Sequence, residues 1–351
     1  MRILTKERMA LLSLAIALFT GVVTGILVNS VISDRVIYET QERIRDALNA
    51  ARWVYTSKIN DIDRMIRLTS LRYVVRNAIK ERNPSLIKND MLSLMAEEKL
   101  DFLALVDRNG MVLFRYHNPG SFGDSILKDP FFKHALGEKG VSGTQVLPGE
   151  AMLKEGDDLA KKAILQVVPT PKEKPAEKLV ETSGMVLKSA YPIADVDGRI
   201  LGVLMGGVLL NRNYEIVDRI KHIVFKDAKY KGKEIGTATI FLGDLRISTN
   251  VLDREGNRAI GTRVMKEVEE QVLEKGLSWI QRAYVVDDWY LTAYEPIRDI
   301  QDNIVGILYV GIMERKYVIL KERLIFLFML AMLAAVAVSA FLSLSLLKKT
   351  K

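Results

Sequence analysis

The chain has 351 residues, with 51 Lys or Arg against 43 Asp or Glu and a formal net charge of +8. It has no Cys, which excludes disulfides, thiolate nucleophiles and Cys-rich zinc or iron–sulfur sites, and three His are too few for most histidine-built metal centres. Basic and acidic residues share the same segments, so the excess charge forms no concentrated tract of the kind that binds nucleic acid.

Two blocks, Met9–Ser33 and Leu324–Leu347, contain no charged residue. At about 1.5 Å per residue, each makes a helix long enough for a hydrocarbon core of about 30 Å. The first block is too long for a signal-peptide core and no A-x-A site follows it, so it is expected to be retained. Arg2, Lys6 and Arg8 before the first block and Lys348, Lys349 and Lys351 after the second predict cytoplasmic termini and an outward-facing middle. Small residues recur every four positions, at Ser13, Ala17, Gly21 and Gly25 and at Ala331, Ala335, Ser339 and Ser343, a pattern that suits close helix packing.

From Asp34 to Lys80 there is no Pro or Gly, and apolar residues recur at helical spacing from Ile44 to Val74. This predicts a long stalk or dimer seam, followed by a short helix from Pro84 to Leu100. Phe102–Asp107 and Met111–Arg115 flank the turn Asp107-Arg108-Asn109-Gly110 and predict a hairpin. A helix near Pro130–Leu136, strands at Met185–Ile193 and Ile200–Leu210, and a linking helix at Asn211–Ile223 come next. The order then recurs: strands at Thr237–Leu242 and Arg246–Leu252, a helix at Val264–Leu273, and strands at Trp279–Val285, Trp289–Ile297 and Ile304–Gly311. Ala135-Leu136-Gly137-Glu138-Lys139-Gly140 is echoed by Val272-Leu273-Glu274-Lys275-Gly276, and Tyr191-Pro192-Ile193 by Tyr294-Glu295-Pro296-Ile297. Two copies of one α+β unit are therefore expected. The first copy carries an extra segment, residues 149–182, which reads as a surface excursion with one strand at Ile164–Val168. Gly202, Gly206 and Gly207 lie inside a strand pattern and predict close backbone approach.

No Ser/His/acid spacing, H-E-x-x-H, Walker loop or Rossmann fingerprint occurs. The strongest cluster is Arg115-Tyr116-His117-Asn118, with Lys188, Ser189 and Tyr191 on a later strand. Strand alternation puts Arg115 and His117 on one face, and Lys188 and Tyr191 on opposite faces. Arg can fork onto a carboxylate while His and Lys add charge. The competing reading makes Arg115 and Lys188 solvated strand residues and His117 a loop residue. The second copy offers Arg246, Trp279, Arg282, Tyr290 and Tyr294, read as mainly structural, with a second ligand site as the alternative.

The order of elements resembles the Cache family of extracytoplasmic sensor domains, in the tandem, double-Cache (PAS-like) arrangement of bacterial chemoreceptors and sensor histidine kinases. Asp107 to Gly110 through His117-Asn118-Pro119 and Gly123 is similar to the D-x-x-G … H-P/N-P … G pattern of carboxylate-sensing members. Ala190-Tyr191-Pro192-Ile193-Ala194-Asp195 with Gly198, Gly202 and Val203 is similar to their A-x-P-I-x-D … G … G-V pattern. The resemblance implies a ligand-contacting basic residue four positions before the Pro, where Lys188 stands, and matches the hairpin His to His117. Lys188 replaces the usual Arg, and Ala190 stands at a second basic position, which argues against a tricarboxylate.

The expected fold is therefore α+β, with two PAS-like Cache units of antiparallel sheet on a long N-terminal helix, flanked by two transmembrane helices. The expected division is 1–8 cytoplasmic, 9–33 span, 34–100 stalk and short helix, 101–210 membrane-distal unit, 211–323 linking helix and membrane-proximal unit, 324–347 span and 348–351 tail. The expected function is that of a two-pass inner-membrane, non-enzymatic sensor of a small organic anion, a mono- or dicarboxylate, relaying binding through the second span. Because the chain stops four residues after that block, its output module is expected to be missing or separate; the alternative is an anchored binding or scaffold protein without signalling output. Arg115, His117, Lys188 and Tyr191 are the candidate ligand residues. No cofactor or nucleic acid is expected, and the expected partners are a second copy of the chain and a separate membrane signalling protein.

Overall fold

The stretch without Pro or Gly is helical but is not one helix: α1 (Arg2–Ser70) stops at Leu71-Arg72, and α2 (Tyr73–Lys80) follows. The computed structural model describes residues 2–137, 139–175, 178–230 and 233–348. The chain divides into two units, Met1–Arg43 with Met313–Lys351, and Ile44–Ile312.

In the first of these units the start of α1 meets α9 (Arg315–Lys348). A Cβ added to Gly21 would lie 2.8 Å from Met332 Sδ, and one added to Gly25 would lie 3.6 Å from Phe328 Cε1. Among the described side chains of α9 the half-buried ones are Ile319, Ile325, Phe328, Met332, Val336 and Ala340, whereas Ala331 and Ala335 are exposed. Glycines of α1 thus receive large side chains of α9, and Ala331 and Ala335 of the α9 small-residue stripe are not at this contact. Ser13, Ala17, Ser339 and Ser343 lie outside the residues whose side chains are described.

The expectation of two membrane spans is corrected: among the described residues no helix is long and apolar enough to cross a membrane. A span needs about 20 consecutive apolar residues, and the uninterrupted described apolar runs are residues 19–26 of α1 and 324–338 of α9. Most of 9–33 and 324–347 beyond those runs lies outside the residues whose side chains are described. With the spans go the flanking transmembrane helices of the expected fold, the two-pass inner-membrane topology and the relay through a second span.

In the unit Ile44–Ile312, α1 and α2 are followed by a 3-10 turn (Pro84–Ile87) and α3 (Lys88–Glu98). The first sheet contains β1 (Phe102–Asp107), β2 (Val112–Arg115), β3 (Val141–Leu147), β6 (Gly184–Ala194) and β7 (Ile200–Leu209), with α4 (Pro130–Leu136) between β2 and β3. Its strand order is β2-β1-β7-β6-β3. After α7 (Glu215–Phe225) and a small hairpin, β8 (Lys229–Tyr230) with β9 (Lys233–Glu234), the second sheet is built from five more strands. These are β10 (Gly236–Leu242), β11 (Leu245–Thr249), β12 (Trp279–Val285), β13 (Asp288–Arg298) and β14 (Ile304–Met313), in the order β11-β10-β14-β13-β12. The second order repeats the first, strand for strand. α8 (Lys266–Glu269), continued by a π-helical turn (Glu270–Glu274), takes the place that α4 has in the first sheet.

Local chemistry closes equivalent hairpins alike. Asp195 Oδ1 accepts from Asp197 N and Arg199 N in the β6–β7 turn, and Asp299 Oδ1 accepts from Gln301 N and Asn303 N in the β13–β14 turn, all at 2.8–2.9 Å. Helix α1 touches both sheets: Tyr55 Oη is 2.8 Å from Thr144 Oγ1 of β3, and Arg52 Nε donates to Glu295 of β13 at 2.9 Å. β7 is flattened by glycine where helices approach: a Cβ on Gly202 would lie 2.3 Å from Ile79 of α2, and one on Gly206 would lie 3.0 Å from Ile66 of α1.

The extra segment is more than a surface excursion. It folds as α5 (Gly149–Glu155), α6 (Asp157–Ala163) and a short hairpin of β4 (Leu165–Gln166) with β5 (Val180–Glu181). Met152, Leu159, Ala160 and Ala163 are buried with Phe102, Leu147, Val186 and Leu209, so the segment supplies core to the first sheet. Its charges conceal this in the sequence because the short helices turn a narrow apolar stripe inward.

Candidate functional site

Asp129 precedes Pro130, and this pair starts α4: Asp129 Oδ1 accepts from Phe131 N at 2.9 Å and Phe132 N at 3.1 Å, satisfying two free helix N–H groups. The second oxygen, Oδ2, accepts from Lys188 Nζ at 2.7 Å and from Gln145 Nε2 at 3.2 Å. Lys188 lies in β6 opposite Gly143 of β3 and Gly207 of β7, so no neighbouring strand side chain competes for its space. It is buried, donates also to Gln145 Oε1 at 3.0 Å, and its Nζ stands 5.1 Å from the centre of the Phe131 ring. Burial pushes the Asp129 carboxyl up, but Lys188, the Phe132 N–H and Gln145 pull it net below its ordinary value.

Arg115 ends β2 and is 2% exposed. Its Nε donates to Glu155 Oε1 at 2.8 Å, Nη1 to Asp124 Oδ1 at 2.6 Å and Ser121 O at 3.0 Å, and Nη2 to Asp124 Oδ2 at 3.1 Å. Lys154 Nζ adds a bond to Asp124 at 3.1 Å. The hydrogen bond from Arg115, reinforced by Lys154, pulls the Asp124 carboxyl down to about 2.

Arg115 and Lys188 therefore line one cavity of about 430 Å³ on the α4 face of the first sheet, with Asp124, Asp129, Glu155 and Met205 among its other walls. His117 and Tyr191 are elsewhere. His117 Nε2 pairs with Asp158 Oδ1 of α6 at 2.9 Å, and Tyr191, on the opposite face of β6, donates to Asp63 of α1 at 3.1 Å. The reading of Arg115 and Lys188 as solvated residues does not hold, because both are buried and ion-paired. The carboxylates escaped the sequence reading. Asp129 carried a usable signal, an Asp-Pro helix start, while Glu155 was hidden in the segment taken for a surface loop. Among the described residues no His, Asp or Glu cluster could hold a metal ion.

The cavity can accept a polar ligand of low net charge. Four cationic side chains (Arg115, Lys128, Lys154, Lys188) face three anionic ones (Asp124, Asp129, Glu155), and the Oε2 atom of Glu155 is buried with no hydrogen-bond partner.

One consequence is a pH-dependent stability. Asp124 titrates in the folded state near 2, below the unfolded value of about 3.9, so its contribution is complete above the unfolded value and is lost as pH falls towards 2. With its side chain 21% exposed, solvent screening limits the contribution to about 2 kcal/mol at most. Urea unfolding at steps between pH 5 and pH 2.5 should show this decline, and a flat profile would refute it.

A family model described as single cache domain 3 matches residues 208–323, which hold α7 and the second sheet. No curated protein matches the chain. Among solved structures, the periplasmic domain of Vibrio cholerae LuxQ is 11% identical with a TM-score of 0.44, over 77% of this chain and 99% of that one. The sensor domain of the V. cholerae histidine kinase DctB is 10% identical with a TM-score of 0.44, over 78% and 96%. The sensory domain of the Campylobacter jejuni chemoreceptor Tlp3, solved with isoleucine bound, is 10% identical with a TM-score of 0.38, over 81% and 95%. Residues 208–323 are therefore similar to Cache-type sensor domains.

Proposed function

We propose that this chain is a ligand-binding protein whose first-sheet cavity takes one small molecule bearing a single carboxylate. The observation that carries this reading is the placement of Arg115 and Lys188 in one cavity wall, each already held by carboxylates. Prepaired cations keep the geometry rigid but leave few free donors: Lys188 has one of its three, and Arg115 one of its five. A dianion would face three resident carboxylates, so a monocarboxylate is favoured. Volume and lining suit a ligand with an apolar body, since Phe102, Val112, Ile126 and Met205 share the wall.

Glu155 Oε2 favours a refinement, a ligand that also carries an N–H donor. Calorimetry of the full chain with L-leucine, 4-methylpentanoate and succinate separates the readings. Leucine should bind tightest, its des-amino analogue about ten-fold weaker for one lost charge-assisted bond, and succinate not at all. Ala151→Trp, which fills the cavity from α5, should abolish binding while cooperative unfolding is retained. Undiminished binding in that variant, or tightest binding by succinate, would sink the proposal.

A further inference from the structure

The extra segment meets the second half of the chain beside the start of α7. Val168 N donates to Gly261 O at 2.8 Å, and a Cβ on Gly261 would lie 2.1 Å from Gln166 O, so the backbones of the two segments are in direct contact. Arg212, in the turn between β7 and α7, donates its backbone N–H to Ile247 O of β11 at 2.8 Å. Between β4, this turn and the loop that follows β11 lies a cleft of about 470 Å³. It shares no lining residue with the first-sheet cavity. Leu165 and Ile260 give it an apolar part, and Gln166, Tyr214 and Asn257 supply neutral polar groups.

Arg212 and Arg258 line this cleft, and among the described residues no Asp or Glu does. Arg258 is held rigidly: Nη1 and Nη2 each donate to Asp218 of α7 at 2.8 Å, Nη1 donates also to Thr249 O at 2.8 Å, and Cζ stands 4.1 Å from the centre of the Tyr214 ring. Three of its five N–H groups are thus engaged by described partners, which leaves two. Arg212 differs. Its side chain makes no ion pair or hydrogen bond among the described residues, while its backbone is fixed in the left-handed region at φ 55°, which a non-glycine residue adopts at a cost. Asn257 Nδ2 is 3.5 Å from Glu255 of the adjoining turn, a weak contact, and Glu255 does not line the cleft. The first cavity sets three carboxylates against its four cations; this cleft sets none against its two.

We propose that this cleft binds a small, soluble phosphate monoester, with the phosphoryl group held between Arg212 and Arg258. A phosphoryl group brings a charge of about −1.5 to −2 at pH 7 and three acceptor oxygens. The donors here, all five N–H groups of Arg212, two of Arg258, the two carboxamides and the Tyr214 hydroxyl, exceed what the two oxygens of a carboxylate can accept. Guanidinium forks match phosphate oxygens in parallel pairs of bonds, and a rigid Arg258 loses little freedom in forming them. Phosphate alone fills only part of the cleft, so the space beside Leu165 and Ile260 takes the organic substituent. The walls come from the extra segment and from the second half of the chain, so an occupant would tie the two together.

The test is calorimetry of the full chain at constant ionic strength with phenyl phosphate, inorganic phosphate and methyl phenyl phosphate, a diester with one charge fewer. Phenyl phosphate should bind tightest, inorganic phosphate more weakly, and the diester at least about ten-fold more weakly than the monoester. Arg212→Gln should unfold at the wild-type midpoint, because the side chain holds no other described residue in place, and should lose at least about ten-fold in affinity for phenyl phosphate. Arg258→Lys keeps a charge beside Asp218 but loses the fork, and it should also bind more weakly. Ala151→Trp should bind phenyl phosphate as the wild type does, because it fills only the first cavity. Vesicles of phosphatidylcholine with phosphatidic acid distinguish a lipid headgroup from a soluble ester, and the chain should not sediment with them. The proposal is overturned if phenyl phosphate does not bind the wild type, if Arg212→Gln binds it undiminished, if the diester binds as tightly, if Ala151→Trp abolishes binding, or if the vesicles alone are bound.

Discussion

Lys188→Met is expected to lose about 3–5 kcal/mol of stability, because it leaves the Asp129 carboxylate buried without its cation. The same variant made with Asp129→Asn should recover most of that loss. Asn caps a helix about as well as Asp, so the two N–H groups at Phe131 and Phe132 keep an acceptor while the unpaired charge disappears. Denaturant titrations of the two single variants and the double form a cycle, and a coupling near zero would show that the pair does not act as one unit. The double variant should still bind poorly, since the cavity has lost a donor.

Arg115→Met should be as costly and should also reverse the sign of the pH dependence. In the wild type Arg115 holds Asp124 and Glu155 together, and Asp124 titrates near 2. Without the guanidinium, the two carboxylates share a space in which Lys154, paired with Asp124, is the remaining ion-paired cation among the described residues. Their folded pKa values should then rise above the unfolded ones, so the folded state binds more protons and stability increases as pH falls. A loss of about 3–5 kcal/mol at pH 7 that narrows toward pH 4 is the expected result. A deficit constant with pH would mean that the loss came from packing and not from charge.

These two variants fall where sequence reasoning was least complete. Arg115 and Lys188 could be picked out as chemistry-bearing residues of a hairpin and a later strand, but not their partners. Asp124 sits in a loop, Asp129 at a helix start and Glu155 in a segment whose near-balanced charge suggested solvent. Nothing in linear spacing brings residue 115 to residue 155; the register of β1 with β2 and the packing of α5 on the sheet do so. The same limit misdirected His117. Alternation predicted a shared face with Arg115, but the strand ends at Arg115 and the chain turns away toward Asp158. Tyr191 obeyed alternation and lies on the opposite face of β6 from Lys188.

Strands and turns were legible because their signals are local. A period of two and an Asp that accepts the N–H groups two and four residues ahead act within a few residues, as at Asp195 and Asp299. The α+β class and two sheets of matching order follow from such signals repeated along the chain. The two uncharged blocks also stood out locally, yet among the described residues no helix is long and apolar enough to cross a membrane. What only the tertiary structure decided is which charges are neutralised. A side chain's partner depends on the packing of segments far apart in sequence, and burial magnifies each outcome, so Arg115 and Lys188 stand paired while Arg246, read from the sequence as mainly structural, is buried with no carboxylate partner among the described residues.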